Sequence, residues 1–399
     1  MDYDTYREQL LARLPEPELA FPVAEYESRL AAVRRAMAER GLDLLMVTDP
    51  AELCYLTGYT TFEVSVQCAL LVSAQECVLF VPAIEIGPAV YLSRVDAVIG
   101  YAWESPRSVA AQLAAEIVRL TAGPAPRIAV ARWSGSLRPG LLEALEVQLD
   151  GARFMDTGDL LDRIRVVKSP AEMAFLAESA AITGAGLDAA GRAVGEGVID
   201  HEIARAGADA MLGGGSEFMS MQPIVAAGFR SGIIHTSHAG YRIARGDVVF
   251  TEFGAVRRRY TAPMMRTAVV APVADEVRVF HEVCLAVLEA VMEAARSGAP
   301  VAGAARAGAE ALAPIADRAF FSGVYGYPVG LQFPPSWVAG STFIAEDSDA
   351  VFADDMVFHL PICLRRPGAF GVGVSETVRI TADGARAITA NDRRLQIHD

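Results

Sequence analysis

A change of pattern near residue 156 constrains the fold more than any other feature of the sequence. Before it, helical patterns of apolar residues alternate with buried-strand patterns. The helical patterns lie at 25–40 and 106–121, and the strand patterns at 42–47, 78–82 and 128–131. After it, residues 160–195 have a mostly helical pattern. From Met219 onward, Gly and Pro separate short strand patterns, with a helical insert at roughly 274–319. The sequence therefore predicts an α/β domain over residues 1–158 and an α+β domain over residues 159–399.

Composition excludes several classes of function. The chain has 399 residues, 52% hydrophobic and 21% charged, which is typical of a globular protein. Its net charge of −14 argues against nucleic acid or an anionic membrane surface as a partner. No apolar run reaches the roughly 18 residues of a membrane helix, and residues 68–84 are predicted to form two strands. The start of the chain has no signal-peptide pattern, and the five cysteines include no C-x-x-C pair. We expect a cytoplasmic protein with reduced cysteines.

Two stretches resemble a known family. Residues 163–172 read RIRVVKSPAE, and 43–59 contain VTDP and YLTGY. They resemble the two domains of the creatinase, prolidase and aminopeptidase P group, the M24 pita-bread family. Ser169-Pro170-Ala171-Glu172 also predicts a helix start, with a cap, a proline at the first position and an acidic first turn. The resemblance covers nearly the whole chain. It implies a creatinase-like α/β N-terminal domain, a pita-bread C-terminal catalytic domain and a homodimer.

The resemblance also implies where metal ligands would stand. Relatives hold two divalent ions with two aspartates, a histidine and two glutamates. The matching positions here are, in order, Glu252, Pro263, Tyr327, Leu360 or Pro361, and Glu376. Two carboxylates remain, and a phenol is a poor ligand for such ions. We therefore expect no metal and no other cofactor.

Metal-free members of this architecture include creatinases and ectoine hydrolases, and the latter open a cyclic amidine. Their catalytic region is similar to residues 252–267, 326–337 and 356–359 of this chain. The segment 60–67 differs from the aromatic-rich segment that helps to form the ectoine pocket. The resemblance thus extends to the type of reaction further than to the substrate.

Glu252 is the central candidate for catalysis. It lies in an otherwise apolar strand pattern, where an idle carboxylate would be costly. It can act as a nucleophile or as the base that activates water, and the alternative is a structural glutamate paired with an arginine. Without metals, Glu252 and Glu376 favour a planar cation such as an amidinium. The carbon of an amidine also accepts attack without a Lewis acid.

Two further residues are candidates for catalysis. His235 matches the acid/base histidine of creatinase and suits proton transfer to a departing nitrogen, although it can also be an ordinary loop histidine. His238 is secondary. Glu376 is expected to orient the substrate cation or His235, or to form a salt bridge with Arg266.

The remaining site candidates are expected to bind substrate. Tyr327 can hydrogen-bond to the substrate or pack in the core, and His359 either meets the cleft or is a satisfied core histidine. Within the basic run 257–259, Arg258 can bind a substrate carboxylate while the others are solvated. The resemblance adds three more substrate-binding candidates, Tyr260, Arg266 and Trp337.

These expectations lead to one main hypothesis: a metal-independent hydrolase of a non-peptide C–N bond in a small cyclic amidine or related cation. A divergent metal-dependent Xaa-Pro peptidase is the first alternative. The second is a non-catalytic pita-bread module that binds a peptide or protein. Retention of Glu252, His235, His359 and Glu376 favours chemistry over binding alone.

Overall fold

The computed structural model describes residues 1–399, with Pro106 described by its backbone only. Contacts divide the chain into two compact units, Met1–Ile164 and Arg165–Asp399. The division falls near the end of the helix Leu160–Arg165, shortly after the change of pattern at residue 156. None of the described helices has the length and apolar character that crossing a membrane requires.

The first unit is built around a mixed six-stranded sheet with the order β4-β3-β2-β1-β5-β6. Its strands are β1 Leu44–Val47, β2 Ala69–Val72, β3 Cys77–Pro82, β4 Ala97–Tyr101, β5 Arg127–Val130 and β6 Arg153–Asp156. Its helices are α1 Tyr3–Arg13, α2 Val23–Glu39, α3 Pro50–Thr57, α4 Ile86–Leu92, α5 Val109–Leu120, α6 Pro139–Gln148 and α7 Leu160–Arg165. The two strands predicted within 68–84 are confirmed as β2 and β3.

The core of this unit lies between the sheet and helices α5 and α6. Leu44 and Met46 of β1 pack with Leu113 of α5 and Leu145 of α6 in one apolar cluster. Such burial accounts for the short, continuous apolar strands that the sequence displays. All five cysteines of the chain are buried, and none is in a disulfide.

The second unit contains two four-stranded sheets and a short hairpin. Its strands are β7 Ile224–Ala227, β8 Val248–Phe253, β9 Val256–Arg257, β10 Tyr260–Thr261, β11 Met264–Val270, β12 Tyr327–Pro328, β13 Val357–Arg366, β14 Phe370–Thr381, β15 Gly384–Ala387 and β16 Gln396–His398. The sheet orders are β16-β11-β8-β7 and β12-β13-β14-β15, and β9 pairs with β10. The helices are α8 Pro170–Arg192, α9 Asp200–Gly213, α10 Asp275–Ala294 and α11 Val301–Leu312.

Helix α8 begins as predicted. The Ser169 side chain accepts a hydrogen bond from the Glu172 amide, and the Glu172 carboxylate accepts one from the Ser169 amide, which completes a capping box. The predicted helical insert is confirmed as α10 and α11. Helix α10 packs on β13 and β14, and α11 packs on α10, within one large apolar cluster.

Strand β8 is central to its sheet, because β7 pairs with one edge and β11 with the other. Side chains alternate between the two faces of a strand. Val249 and Phe253 belong to the cluster that contains residues of α8 and α9. Phe250 faces the second sheet instead, where a Cβ on Gly373 would lie 2.4 Å from its ring. Glu252 shares the face of Phe250 and is therefore directed away from the helices.

Candidate active site

A cavity of about 850 Å³ lies within the second unit, lined by residues of both sheets and of the intervening loops. This volume suits a small molecule. Most of the lining side chains are apolar. They include Met219, Met221, Ile224, Met265, Val324, Pro334, Pro335, Trp337, Phe343 and Pro361. The polar lining includes Gln222, His235, Ser237, Glu252, Tyr327, Ser336 and Arg365.

Glu252 reaches this cavity from near the C-terminal end of β8. Its side chain is buried, and the described residues supply no hydrogen-bond donor or ion-pair partner to its carboxylate. Burial raises the pKa of Glu252 to about 8, although the charge of Arg365 partly opposes that rise. The structure thus differs from the alternative in which Glu252 is paired with an arginine. Its carboxyl group is available to a ligand.

Tyr327 contributes a phenol to the same cavity and is held by two neighbours. Trp337 Nε1 donates a hydrogen bond to Tyr327 Oη over 2.9 Å, and His359 Nδ1 lies 2.8 Å from the same oxygen. The His359 Nε2 atom lies 2.6 Å from Ser375 Oγ, which also accepts a hydrogen bond from the Met265 amide. His359 is completely buried, and burial lowers its pKa to about 3, so the ring is neutral.

This network selects one tautomer of His359. If the Ser375 hydroxyl donates to His359 Nε2, then Nδ1–H donates to the Tyr327 oxygen. Every polar hydrogen of these three side chains then has an acceptor, except the phenol hydrogen of Tyr327. The opposite tautomer would leave the buried Ser375 hydroxyl hydrogen without an acceptor. In the favoured tautomer, the Tyr327 oxygen accepts two hydrogen bonds. Its own O–H group is therefore free to donate into the cavity.

His235 also lines the cavity, from the loop between β7 and β8. Its side chain is exposed and its backbone has a φ of 55°, in the left-handed region that non-glycine residues seldom adopt. His238 does not line the cavity, and its Nδ1 lies 3.1 Å from Ser237 Oγ. The structure thus brings together His235, Glu252, Tyr327 and Trp337, with His359 directly behind Tyr327.

Glu376 and Arg266 lie outside the lining. They form a buried ion pair of 2.8 Å, the arrangement that the sequence offered as the alternative to a role at the substrate. Arg393 Nε also lies 2.8 Å from the Glu376 carboxylate, and the Thr389 hydroxyl bonds to it. These partners occupy both carboxylate oxygens and hold Glu376 away from the cavity.

Two other candidates are also placed away from the cavity. Arg258 lies at the turn of the β9–β10 hairpin with a φ of 47°, and its amide donates to the Glu217 carboxylate. Tyr260 is buried, and its hydroxyl donates to the Glu172 carboxylate at the start of α8. The hairpin directs one residue outward and the other into the domain. Neither position supports the predicted contact with substrate.

The residues at the family's ligand positions do not fit a pair of metal ions. Glu252 and Pro361 face the cavity, while Glu376 is held by two arginines. Pro263 offers only its carbonyl oxygen, which accepts a hydrogen bond from Thr377. Throughout the described part of the chain, no three His, Cys, Asp or Glu side chains are grouped closely enough to hold a metal ion.

Sequence reasoning missed Arg365. Pro361, Cys363 and Arg365 alternate along β13 and all line the cavity. The alternation itself is a usable signal, because the sequence assigns Leu360 or Pro361 to a ligand position. Every second residue of a strand faces the same side, so Pro361, Cys363 and Arg365 are expected to face the cavity together.

Comparison with known proteins defines the class. The model of metallopeptidase family M24 matches residues 174–382, and that of the creatinase/prolidase N-terminal domain matches residues 29–167. The chain belongs to metallopeptidase family M24, a family of hydrolases, with a creatinase-type N-terminal domain and a pita-bread catalytic domain.

Individual relatives are similar to almost the full length of the chain. It is 25% identical over 412 residues to the ectoine hydrolase of Halomonas elongata, covering 94% of this chain and 98% of the relative. It is 24% identical over 369 residues to the Xaa-Pro dipeptidase of Pyrococcus furiosus, and this match covers 92% of this chain and 99% of the relative. The solved structure of Xaa-Pro dipeptidase from Bacillus anthracis has a TM-score of 0.82 and 20% identity, covering 93% of this chain and 99% of that one.

Proposed function

We propose that this protein is a metal-independent hydrolase that opens a non-peptide C–N bond in a small cyclic amidine or a related cationic compound. The observation that carries the proposal is Glu252, a buried carboxyl group that faces the cavity and has no hydrogen-bond or ion-pair partner among the residues that the structure describes. An amidinium supplies the positive charge and the paired N–H donors that such a carboxylate lacks. Similarity to an ectoine hydrolase supports the same type of reaction.

The proposed reaction adds one water molecule to the amidine carbon. The positive charge of the bound substrate favours the ionised form of Glu252. The carboxylate then either removes a proton from that water or first attacks the carbon itself through one of its oxygens. Tyr327 donates a hydrogen bond to the oxygen that becomes bonded to this carbon. When water attacks directly, the ring C–N bond breaks, the added oxygen loses its remaining proton so that the carbon becomes an amide carbonyl, and the departing nitrogen takes up a proton. When Glu252 attacks first, the ring C–N bond breaks to leave the carbon bonded to Glu252, and water then cleaves that bond to give the same amide and release the carboxylate.

His235 is the residue proposed to deliver that proton. It lies on the cavity wall, and its exposed ring exchanges protons with solvent between turnovers. Trp337 and His359 do not react in this scheme. They fix the orientation of the Tyr327 hydroxyl.

The test is a mass-spectrometric screen with purified protein. Ectoine, hydroxyectoine, creatine and other cyclic amidines are incubated with the protein, and a product heavier by one water is sought. Glu252→Gln should abolish turnover, while Glu289→Gln on the exposed surface of α10 serves as the matched control. Full turnover by the Glu252→Gln protein would reject the central role of this residue.

An Xaa-Pro dipeptidase is the second candidate, favoured by the similarity to the Pyrococcus furiosus enzyme. It predicts hydrolysis of dipeptides ending in proline once Mn²⁺, Co²⁺ or Zn²⁺ is added. Assays with Ala-Pro and Gly-Pro, with and without each ion, separate the two functions.

A further inference from the structure

Arg365 stands out because its charge is buried and no described residue forms an ion pair with it. The residue is 9% exposed, and its guanidinium makes a single hydrogen bond, from Nη1 to the Cys363 carbonyl over a long 3.4 Å. Its Nε atom is buried and has no hydrogen-bond partner among the described residues. No carboxylate of the described chain lies within ion-pair distance. Arg365 nevertheless lines the same cavity as Glu252.

The two charged groups of the cavity differ in how they can tolerate burial. A carboxyl group can take up a proton and become neutral, and enclosure favours that form of Glu252. A guanidinium cannot lose its proton inside a protein. The free cavity therefore has an excess of positive charge at Arg365. A ligand that is only a cation would be repelled there.

We propose that Arg365 binds a carboxylate of the substrate, so that the cavity selects a zwitterion whose cationic part contacts Glu252 and whose carboxylate contacts Arg365. The inference rests on the proposed function, because it defines the substrate class of the same site. Arg365, rather than Arg258, would then be the residue that binds a substrate carboxylate. Its planar fork offers paired N–H donors, which match the geometry of a carboxylate.

Binding can be measured without turnover by using three six-membered-ring probes. Pipecolate is a zwitterion, piperidine carries only the positive charge, and cyclohexanecarboxylate carries only the negative charge. Calorimetry with the full-length protein should give pipecolate an affinity at least about tenfold higher than that of piperidine, since a charge-assisted hydrogen bond has about this effect.

The Arg365→Gln protein should lose this preference, with piperidine binding as well as before or better. Arg365→Lys keeps the charge and should keep part of the preference, which guards against a folding defect in the glutamine variant. Arg366→Gln is the matched control, since Arg366 is partly exposed and lies near Glu276 on the outside of the same strand.

Three results would each overturn the inference. The first is equal binding of pipecolate and piperidine, and the second is a preference for pipecolate that survives in Arg365→Gln. The third is failure of both carboxylated probes to bind. None of these results depends on catalysis. Absence of amidine turnover would count against the proposed function alone, and the binding results would still decide the role of Arg365.

Discussion

Tyr327 and His359 face each other on paired strands, with the phenol oxygen 2.8 Å from His359 Nδ1. The buried Ser375 hydroxyl fixes the tautomer of the histidine. As a result, a tyrosine at the position of a family metal ligand presents a hydrogen-bond donor to the cavity.

Replacing Tyr327 by Phe should therefore lower kcat by about a hundredfold, as expected for loss of one donor to a developing oxyanion. Steady-state kinetics on the substrate found by the screen measures this change. Tyr325→Phe is the control, because Tyr325 is buried in the neighbouring core and does not line the cavity. Equal kcat values for the two variants would show that the Tyr327 hydroxyl takes no part.

Glu252 should make the protein less stable as the pH rises. Its folded pKa is about 8, above the ordinary value of 4.5, so between these values the native state keeps a proton that the unfolded state releases. The free energy of unfolding then falls with increasing pH, by roughly 1 kcal/mol per pH unit from this group. His235, Tyr327, Cys363 and Arg365 are the other titratable or charged groups that line the cavity.

The Glu252→Gln protein lacks this contribution. Urea unfolding at about pH 5 and about pH 8 should show the variant gaining stability over the wild type at the higher pH. Glu289→Gln should show no such gain. Parallel pH curves for wild type and Glu252→Gln would mean that Glu252 is not held in its protonated form.

Metal should not be required for turnover. We expect less than one equivalent of Mn, Zn or Co per chain by elemental analysis, and unchanged kcat after prolonged treatment with a chelator. The reason is the donor set, in which Pro263 and Pro361 have no side-chain ligand atom and Glu376 is held by arginines. A metal-dependent prolidase treated in parallel controls for removal of the ion. Two bound ions per chain, or loss of activity on chelation, would favour the peptidase.

Glu376 should prove more important for stability than for chemistry. Glu376→Gln leaves the buried guanidinium of Arg266 without its carboxylate, and breaking such a pair costs about 3–5 kcal/mol. Urea unfolding measures the loss, and kcat of the folded protein is expected to change only a few-fold. Arg393→Gln, at the exposed side of the same carboxylate, should cost less. A stable Glu376→Gln protein without activity would restore the predicted catalytic role.

Much of the fold followed from local pattern. The capped start of α8, the helical insert and the strands within 68–84 were predictable because their signals lie within a few consecutive residues. Strand β8 was predictable for the same reason, and so was the unusual cost of a carboxylate at Glu252.

The composition of the site was less predictable. Glu376 and Arg266 are distant in sequence, and only the packing of the two sheets brings their charges together and removes them from the cavity. Arg258 and Arg365 carry the same charged group, and the sequence alone does not show which of them faces the cavity. The hairpin turn directs the first away from the cavity, and the alternation of β13 directs the second into it.

The sequence by itself determined which chemical groups are present: a glutamate inside an apolar strand, and a proline and a tyrosine where metal ligands stand in relatives. These properties belong to single residues and their immediate neighbours. Only the tertiary structure decided which groups share one cavity and which neutralise each other, because burial and pairing depend on strands that are remote along the chain. That arrangement leaves Glu252 and Arg365 without an ion-pair partner among the described residues and therefore available to a ligand.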